Sequence, residues 1–382
     1  MRLSPILTDL GTYPFTRLDE AKKQLAAAGV EFVDFGVGDP REPTEPFIRE
    51  ALVAAVGAAS SYPLAVGLPE LRAAICTWVR RRFAVELDPG RHVIPTLGSK
   101  EAIFSLAQAV IDCDGGKRLV LVTEPGYPVQ ERGALFAGAE VERLPLLERN
   151  GFLPDLDAVN EETWRRAAIV WVNYPNNPTG AVAPIAFYER LAALARRHDF
   201  LLASDEAYTE LFFGEPPVSA LQLPDLTNVA VFNTLSKRSS MTGYRSGFVA
   251  GDPAVIAALK LFRPSVGTAP QEFVQRAAIA AWSDETHVER TRASYAAKRE
   301  LLLDVLERKH IRVAGSEATM YLWLEVPGDR DDEALATRLL EHGLVVSPGS
   351  FFGATGAGYW RIALVPTLDE CRRAAEILEE AL

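Results

Sequence analysis

From about residue 92 to residue 252 the chain repeats one rhythm: a short β-rich apolar run, then a stretch in which apolar residues recur at helical spacing. That alternation belongs to α/β proteins with mostly parallel sheets. Residues 118–123, 167–173, 200–204 and 229–234 are near-continuous apolar runs, as strands covered on both faces require. Between two of them Phe187, Leu191, Leu194, Ala195 and His198 fall on one helical face, with Arg190, Arg196 and Arg197 largely off it, so a covering helix is expected. After about residue 265 the texture changes. Longer helical patterns span 271–282 and 286–309, a strand-like segment spans 320–326, and Thr367 with Glu370 forms a capping box opening a last helix over 368–382. A chain of 382 residues exceeds what one hydrophobic core normally serves. The expected architecture is therefore a large α/β domain over residues 45–265 and a smaller α+β domain built from residues 1–44 and 266–382.

Several function classes find no anchor. The formal net charge of −11 opposes a phosphate backbone and no basic face compensates, so nucleic acid is not an expected partner. The five histidines are scattered without helical ligand spacing, which leaves no metal site to expect. Cys76, Cys113 and Cys371 are widely separated and read as reduced, mostly buried thiols. There is no G-x-S-x-G elbow, Walker loop or G-x-G-x-x-G turn. Residues 1–15 are broken by Pro5, Asp9, Gly11 and Pro14 and lack the apolar stretch of a signal peptide or membrane span, so the cytoplasm is the expected location. The run Arg80, Arg81, Arg82 reads as the solvated end of an amphipathic helix.

In open α/β sheets functional residues gather where loops leave the carboxyl ends of strands. Four such loops stand out: Tyr174-Pro175-Asn176-Asn177-Pro178-Thr179-Gly180; Asp205-Glu206-Ala207-Tyr208; Leu235-Ser236-Lys237; and Gly98-Ser99-Lys100-Glu101 leading into a helix. With Tyr62 to Arg72, Met241-Thr242-Gly243-Tyr244-Arg245 and a late Arg361, these motifs follow one another in an order that resembles the class I/II aminotransferases of pyridoxal-5′-phosphate (PLP) fold type I. The resemblance covers essentially the whole chain. It implies a mostly parallel seven-stranded type of sheet sandwiched by helices, PLP as cofactor, amino-acid and 2-oxo-acid substrates, and a homodimer with shared active sites.

The same resemblance distributes the roles. Lys237 is the lysine whose amine condenses with the cofactor aldehyde and, once released, carries the proton at the substrate α-carbon. Asp205 pairs with the pyridine nitrogen, although any Ser-Asp after a strand also suits a turn or helix cap. Tyr208 and Asn177 would bond the cofactor's 3′-oxygen, Asn177 doubling as an Asx turn before Pro178. The Ser99 and Lys100 backbone amides, with Thr234 and Arg245 side chains, would take the phosphate at a helix N-terminus. Tyr127 resembles the aromatic stacked on the cofactor ring and reads otherwise as a core tyrosine. Arg361 offers a planar fork to the substrate α-carboxylate, with Asn177 a second contact to the same group and Gly38 a backbone contact or an ordinary turn, and Tyr62 would reach the phosphate of the neighbouring subunit.

Finer features are similar to the N-succinyldiaminopimelate aminotransferases: Tyr13-Pro14-Phe15, Ala280-Ala281-Trp282-Ser283-Asp284-Glu285-Thr286-His287-Val288, and Pro348-Gly349-Ser350-Phe351. They imply N-succinyl-LL-diaminopimelate and 2-oxoglutarate as substrates, in lysine biosynthesis. Other members acting on aspartate, alanine or aromatic amino acids, or a PLP-dependent C–S lyase, remain alternatives. Residues 263–271 depart from the expected turn. Donors for remote carboxylates are expected around Ser265 to Thr268 and near Tyr13.

Overall fold

The computed structural model describes residues 3–9, 15–27, 29–59, 61–112, 114–328 and 330–382. Tyr13, Pro14 and Cys113 lie outside the described residues. The strands, in chain order, are β1 (Val33–Asp34), β2 (Val93–Thr96), β3 (Leu119–Glu124), β4 (Glu140–Pro145), β5 (Ala167–Asn173), β6 (Leu201–Asp205), β7 (Val229–Thr234) and β8 (Gly247–Gly251). Then come β9 (Val313–Gly315), β10 (Tyr321–Glu325), β11 (Leu344–Val345), β12 (Ser347–Pro348) and β13 (Tyr359–Ala363).

Seven strands form one sheet in the order β2-β8-β7-β6-β5-β3-β4. Only β8 runs against its neighbours; the β3–β4, β3–β5, β5–β6 and β6–β7 pairs are parallel. The apolar runs of β5, β6 and β7 are buried throughout because both faces are covered. Side chains alternate between the two layers. Val170 and Val172 meet Tyr188 and Leu191 in one core, while Ile169 and Trp171 meet Phe232, Leu106 and Leu259 in the other. The covering helix Ile185–His198 buries Phe187, Leu191, Ala195 and His198, as its sequence spacing predicts.

A four-stranded antiparallel sheet, β12-β13-β10-β9, holds a third core with the helices Thr286–Arg308, Asp332–Glu341 and Leu368–Ala381. Thr367 and Glu370 do form the expected capping box. The helix Glu272–Ser283, which a boundary at 265 assigns to the smaller unit, buries Ala277, Ala278, Ala281 and Trp282 in the core of the large sheet.

The arginine run needs a correction. Arg80–Arg82 does close the helix Pro69–Phe83, but Arg82 is not a solvated residue. Its guanidinium bonds Glu210 Oε1 at 2.9 Å and Pro217 O at 3.0 Å, because the last turn abuts the loop after β6 rather than solvent. No helix among the described residues is long and apolar enough to cross a membrane.

Candidate active site

Because β5, β6 and β7 are parallel and in register, Asn173, Asp205 and Thr234 end at one edge of the sheet. β2 runs antiparallel to β8, so Thr96 delivers the helix Gly98–Val110 to the same edge. Lys237, in the short helix Leu235–Arg238, follows directly from β7. Arg361, on β13, enters from the small sheet. The result is a cleft of about 420 Å³ lined by loops from both sheets.

Lys237, Asp205, Tyr208, Asn177, Thr234, Ser99, Lys100, Tyr127, Arg245, Gly38 and Arg361 all line this cleft. Tyr62 does not; its side chain is fully exposed. Nor do Ser265 to Thr268 line it, contrary to the expectation of donors there. The helix Pro253–Val266 runs through Pro264; Arg263 pairs with Glu101 at 2.6 and 2.7 Å, and the Thr268 hydroxyl donates to Arg263 O at 3.2 Å.

Asp205 is buried, and its carboxyl accepts from Ala207 N–H at 3.3 Å. Burial pushes it up to about 7, since a charge removed from water without a cation beside it is disfavoured. A buried carboxyl of this kind suits a cationic ligand atom. Lys237 lines the same cleft and donates to Gly38 O at 2.5 Å. Burial lowers its ammonium to about 8; Asp39 opposes this, while Arg361 and Arg245 add to it. An amine tuned this way is a nucleophile near neutrality.

Arg361 is buried and held rigidly. Nη1 donates to Asn177 Oδ1 at 2.8 Å and Nη2 to Gly36 O at 2.7 Å, and the guanidinium lies 4.2 Å from the Tyr321 ring centre and 4.5 Å from that of Phe352. Such a planar fork between two rings is pre-set for a carboxylate. The Tyr208 and Tyr321 hydroxyls share a hydrogen bond of 2.9 Å, and burial holds Tyr208 neutral by raising its phenol well above the usual range.

The helix N-terminus at Gly98 has a built cradle. Gly98 sits at φ +72°, and a Cβ there would fall 2.6 Å from Arg245 Nη2. The Arg245 guanidinium is tethered by Thr242 O at 2.9 Å and Leu97 O at 3.3 Å, so a cation and the first helical N–H groups point to one place. Thr234 Oγ1 already serves the protein, contacting Ser236 Oγ at 2.9 Å and Ser246 O at 3.1 Å. The donor set, a buried carboxyl for a ring cation, a low-lying lysine and an anion cradle, fits PLP.

Sequence reasoning missed Asn173, Ser236, Tyr321 and Phe352. Asn173 donates to Asp205 O at 2.8 Å and accepts from Asn177 N–H at 2.9 Å, tying two site loops together. Its place as the last residue of a buried strand was a usable signal. Tyr321 and Phe352 carried none, since each reaches the cleft only through the folding of the smaller sheet.

A family model for aminotransferase class I and II matches residues 30–378. The chain belongs to the class I and II aminotransferases. An LL-diaminopimelate aminotransferase of Nitratidesulfovibrio vulgaris strain Hildenborough is 41% identical over 388 aligned residues, covering 100% of this chain and 97% of that protein. Among solved structures, an aminotransferase from Neisseria meningitidis Z2491 is 36% identical with a TM-score of 0.92, covering 100% of both chains. A probable N-succinyldiaminopimelate aminotransferase from Thermus thermophilus is 32% identical with a TM-score of 0.89, covering 96% of this chain and 100% of that one. The seven-stranded sheet and flanking helices of this aminotransferase thus match their fold over nearly the full length.

Proposed function

We propose that this aminotransferase uses PLP, held by Lys237, and that its amino donor carries the diaminopimelate skeleton, with 2-oxoglutarate and glutamate as the other pair in lysine biosynthesis. The observation that carries the reading is the convergence of Lys237, Asp205 and Arg361 in one cleft beside the Gly98 cradle. When bound, PLP supplies an electron sink for the bond to the substrate α-carbon. Asp205 holds a proton or positive charge at the ring nitrogen. Arg361 takes the α-carboxylate in its fork, with Asn177 and Gly36 O keeping the guanidinium in plane. Lys237 Nζ, released from its covalent role, accepts and returns the α-proton. Ser99 and Lys100 N–H groups and Arg245 would hold the phosphate, Tyr208 the 3′-oxygen, and Tyr127 the ring face.

The remote end of the donor decides between two forms. The N-succinyl form follows from the motif resemblance and from the Thermus neighbour's name. The unblocked LL form is favoured by the more similar relative's name and by charge. Asp19 and the exposed Asp39 line the cleft together with Lys100, so it offers both signs of charge to a donor that carries a second ammonium and carboxylate. Succinylation replaces that ammonium with a neutral amide and brings a further carboxylate towards the aspartates, a repulsion the free amine avoids. LL-diaminopimelate is therefore the first choice.

A panel of LL-diaminopimelate, its N-succinyl derivative, aspartate, alanine and phenylalanine, each with 2-oxoglutarate, tests this through kcat/KM. LL-diaminopimelate should lead. A win for the succinyl form reverses the choice at the remote end, and a win for aspartate or phenylalanine removes the diaminopimelate reading.

Assembly is part of the proposal. A groove lined by Thr44, Leu97, Thr242, Arg245 and Phe273 adjoins the cleft, and Tyr62, Leu64 and Val53 are exposed. A second copy placing Tyr62 in that groove would bury them and bring its hydroxyl towards Arg245. Sedimentation should give a dimer. Within each copy, we propose that the large unit runs on through Ser283 rather than ending at 265, because that helix shares the large core.

A further inference from the structure

Arg238 and Ser239, immediately after Lys237, do not line the cleft; they are buried against a polar cluster whose carboxylates, Asp284 and Glu285, are half-buried. Ser239 Oγ lies 2.8 Å from His287 Nε2, and His287 Nδ1 lies 2.7 Å from Asp284 Oδ1. Asp284 Oδ1 also accepts the His287 backbone N–H at 3.0 Å. Arg238 is seated beside this chain of bonds. Its Nη1 donates to Ala281 O at 3.0 Å and its Nη2 to Glu285 Oε1 at 2.8 Å, with the guanidinium 4.7 Å from the Trp282 ring centre. All of these contacts fall on residues 281–287, where the helix Glu272–Ser283 gives way to the helix Thr286–Arg308.

The constellation has the residue types of an acyl-transfer triad, but not its accessibility. Ser239 is 2% exposed and His287 1%, so no substrate carbonyl can meet the hydroxyl. Asp284 holds the proton on Nδ1, which leaves Nε2 as an acceptor for the Ser239 hydroxyl. Phe47 closes the imidazole edge-on at 5.6 Å. Ser239 N–H in turn bonds Leu235 O at 3.1 Å, closing the single turn that carries Lys237. A rigid chain therefore runs from a helix junction, through an imidazole of fixed tautomer, to the turn bearing the reactive amine.

We propose that Ser239, His287 and Asp284, seconded by Arg238, are positioning residues that fix the Lys237 turn so that its amine meets the substrate α-carbon at the right place. The inference rests on Lys237 being the cofactor-bearing lysine. A four-residue helix has little stability of its own, since nucleating a helical turn is unfavourable. Its geometry is then set by what grips its outer face. Proton transfer needs the donor and acceptor within hydrogen-bond reach, and a misplacement of about 1 Å costs on the order of 100-fold in rate.

Ser239→Ala and Asp284→Asn, each as the PLP-loaded dimer, test the inference. Expected are a ten- to hundred-fold fall in kcat with KM within twofold and cofactor content unchanged. The pH at which the cofactor's visible band changes form should also move, and Ser239→Thr, which restores the hydroxyl, should recover both. If Ser239→Ala and Asp284→Asn lower only Tm and keep the wild-type kcat and band, the cluster is a structural prop and the inference fails. A fall in kcat that merely tracks lost cofactor overturns it as well. Failure of the underlying reading looks different: the unmodified protein would then show no reducible band at Lys237.

Discussion

Replacing Arg361 with lysine keeps the positive charge and removes the fork, so it isolates the geometric part of substrate binding. In the structure the two terminal nitrogens lie 2.8 Å from Asn177 Oδ1 and 2.7 Å from Gly36 O, and the plane is held between Tyr321 and Phe352. Both outer acceptors and a substrate carboxylate can be served together only by a guanidinium, whose five N–H donors lie in one plane. A lysine ammonium on a shorter reach can satisfy one acceptor and one carboxylate oxygen. The loss is then about one charge-assisted hydrogen bond, roughly 1.5–3 kcal/mol. That corresponds to a fall of about 10- to 150-fold in kcat/KM. The assay is steady-state transamination with a natural amino donor, set against a slow primary amine that lacks an α-carboxylate. The donor should lose the full factor and the simple amine almost none, with cofactor content equal in both proteins. A variant within twofold of wild type, or an equal loss on both amines, would refute the role given to Arg361.

Gly38 is constrained by space rather than by its backbone angle. A Cβ there would fall 2.0 Å from the Tyr321 hydroxyl and 2.8 Å from its Cζ; Gly38→Ala should therefore push Tyr321 off Tyr208 and cut kcat, visible as a changed cofactor absorption band, and an unaltered band and rate would sink this reading. Burial places the Lys237 ammonium near 8 instead of 10.5, so at pH 7.5 roughly a quarter of the amine is neutral rather than about one part in a thousand. Capture of PLP by cofactor-free protein should accelerate through pH 8 and level off above it, and a rate still climbing steeply at pH 10 would contradict the lowered value. Because the folded value lies below the unfolded one, the stability that this group withholds from the cofactor-free protein at low pH should be regained between about pH 8 and 10.5.

What the sequence made legible follows from where physics leaves a local trace. The runs that become β5, β6 and β7 are apolar on both faces, and the loops they launch carry Asn177, Asp205 and Lys237 at places a sequence reader can mark. β4 left no such run, because as an edge strand it keeps Glu140, Glu142 and Pro145 exposed. β8 has glycine at both ends, which breaks the apolar run that marks its neighbour β7. The parts of the site that escaped notice are those assembled across the chain: Tyr321 beside Tyr208, Phe352 beside Arg361, and the bond from Ser239 to His287, 48 residues away. Arg82 escaped for the same reason; three arginines at a helix end look alike until Glu210 turns one of them inward.

The central claim is that Lys237 is the amine that holds the cofactor and moves the proton. Borohydride reduction of the purified, PLP-loaded protein, followed by digestion and mass mapping, addresses it directly. The pyridoxyl group should be found on the peptide containing Leu235, Ser236 and Lys237, attached at Lys237, and Lys237→Ala should lose both the label and transamination. A label on Lys100 or any other lysine, or a Lys237→Ala variant that still completes transamination at the wild-type rate, would contradict the account.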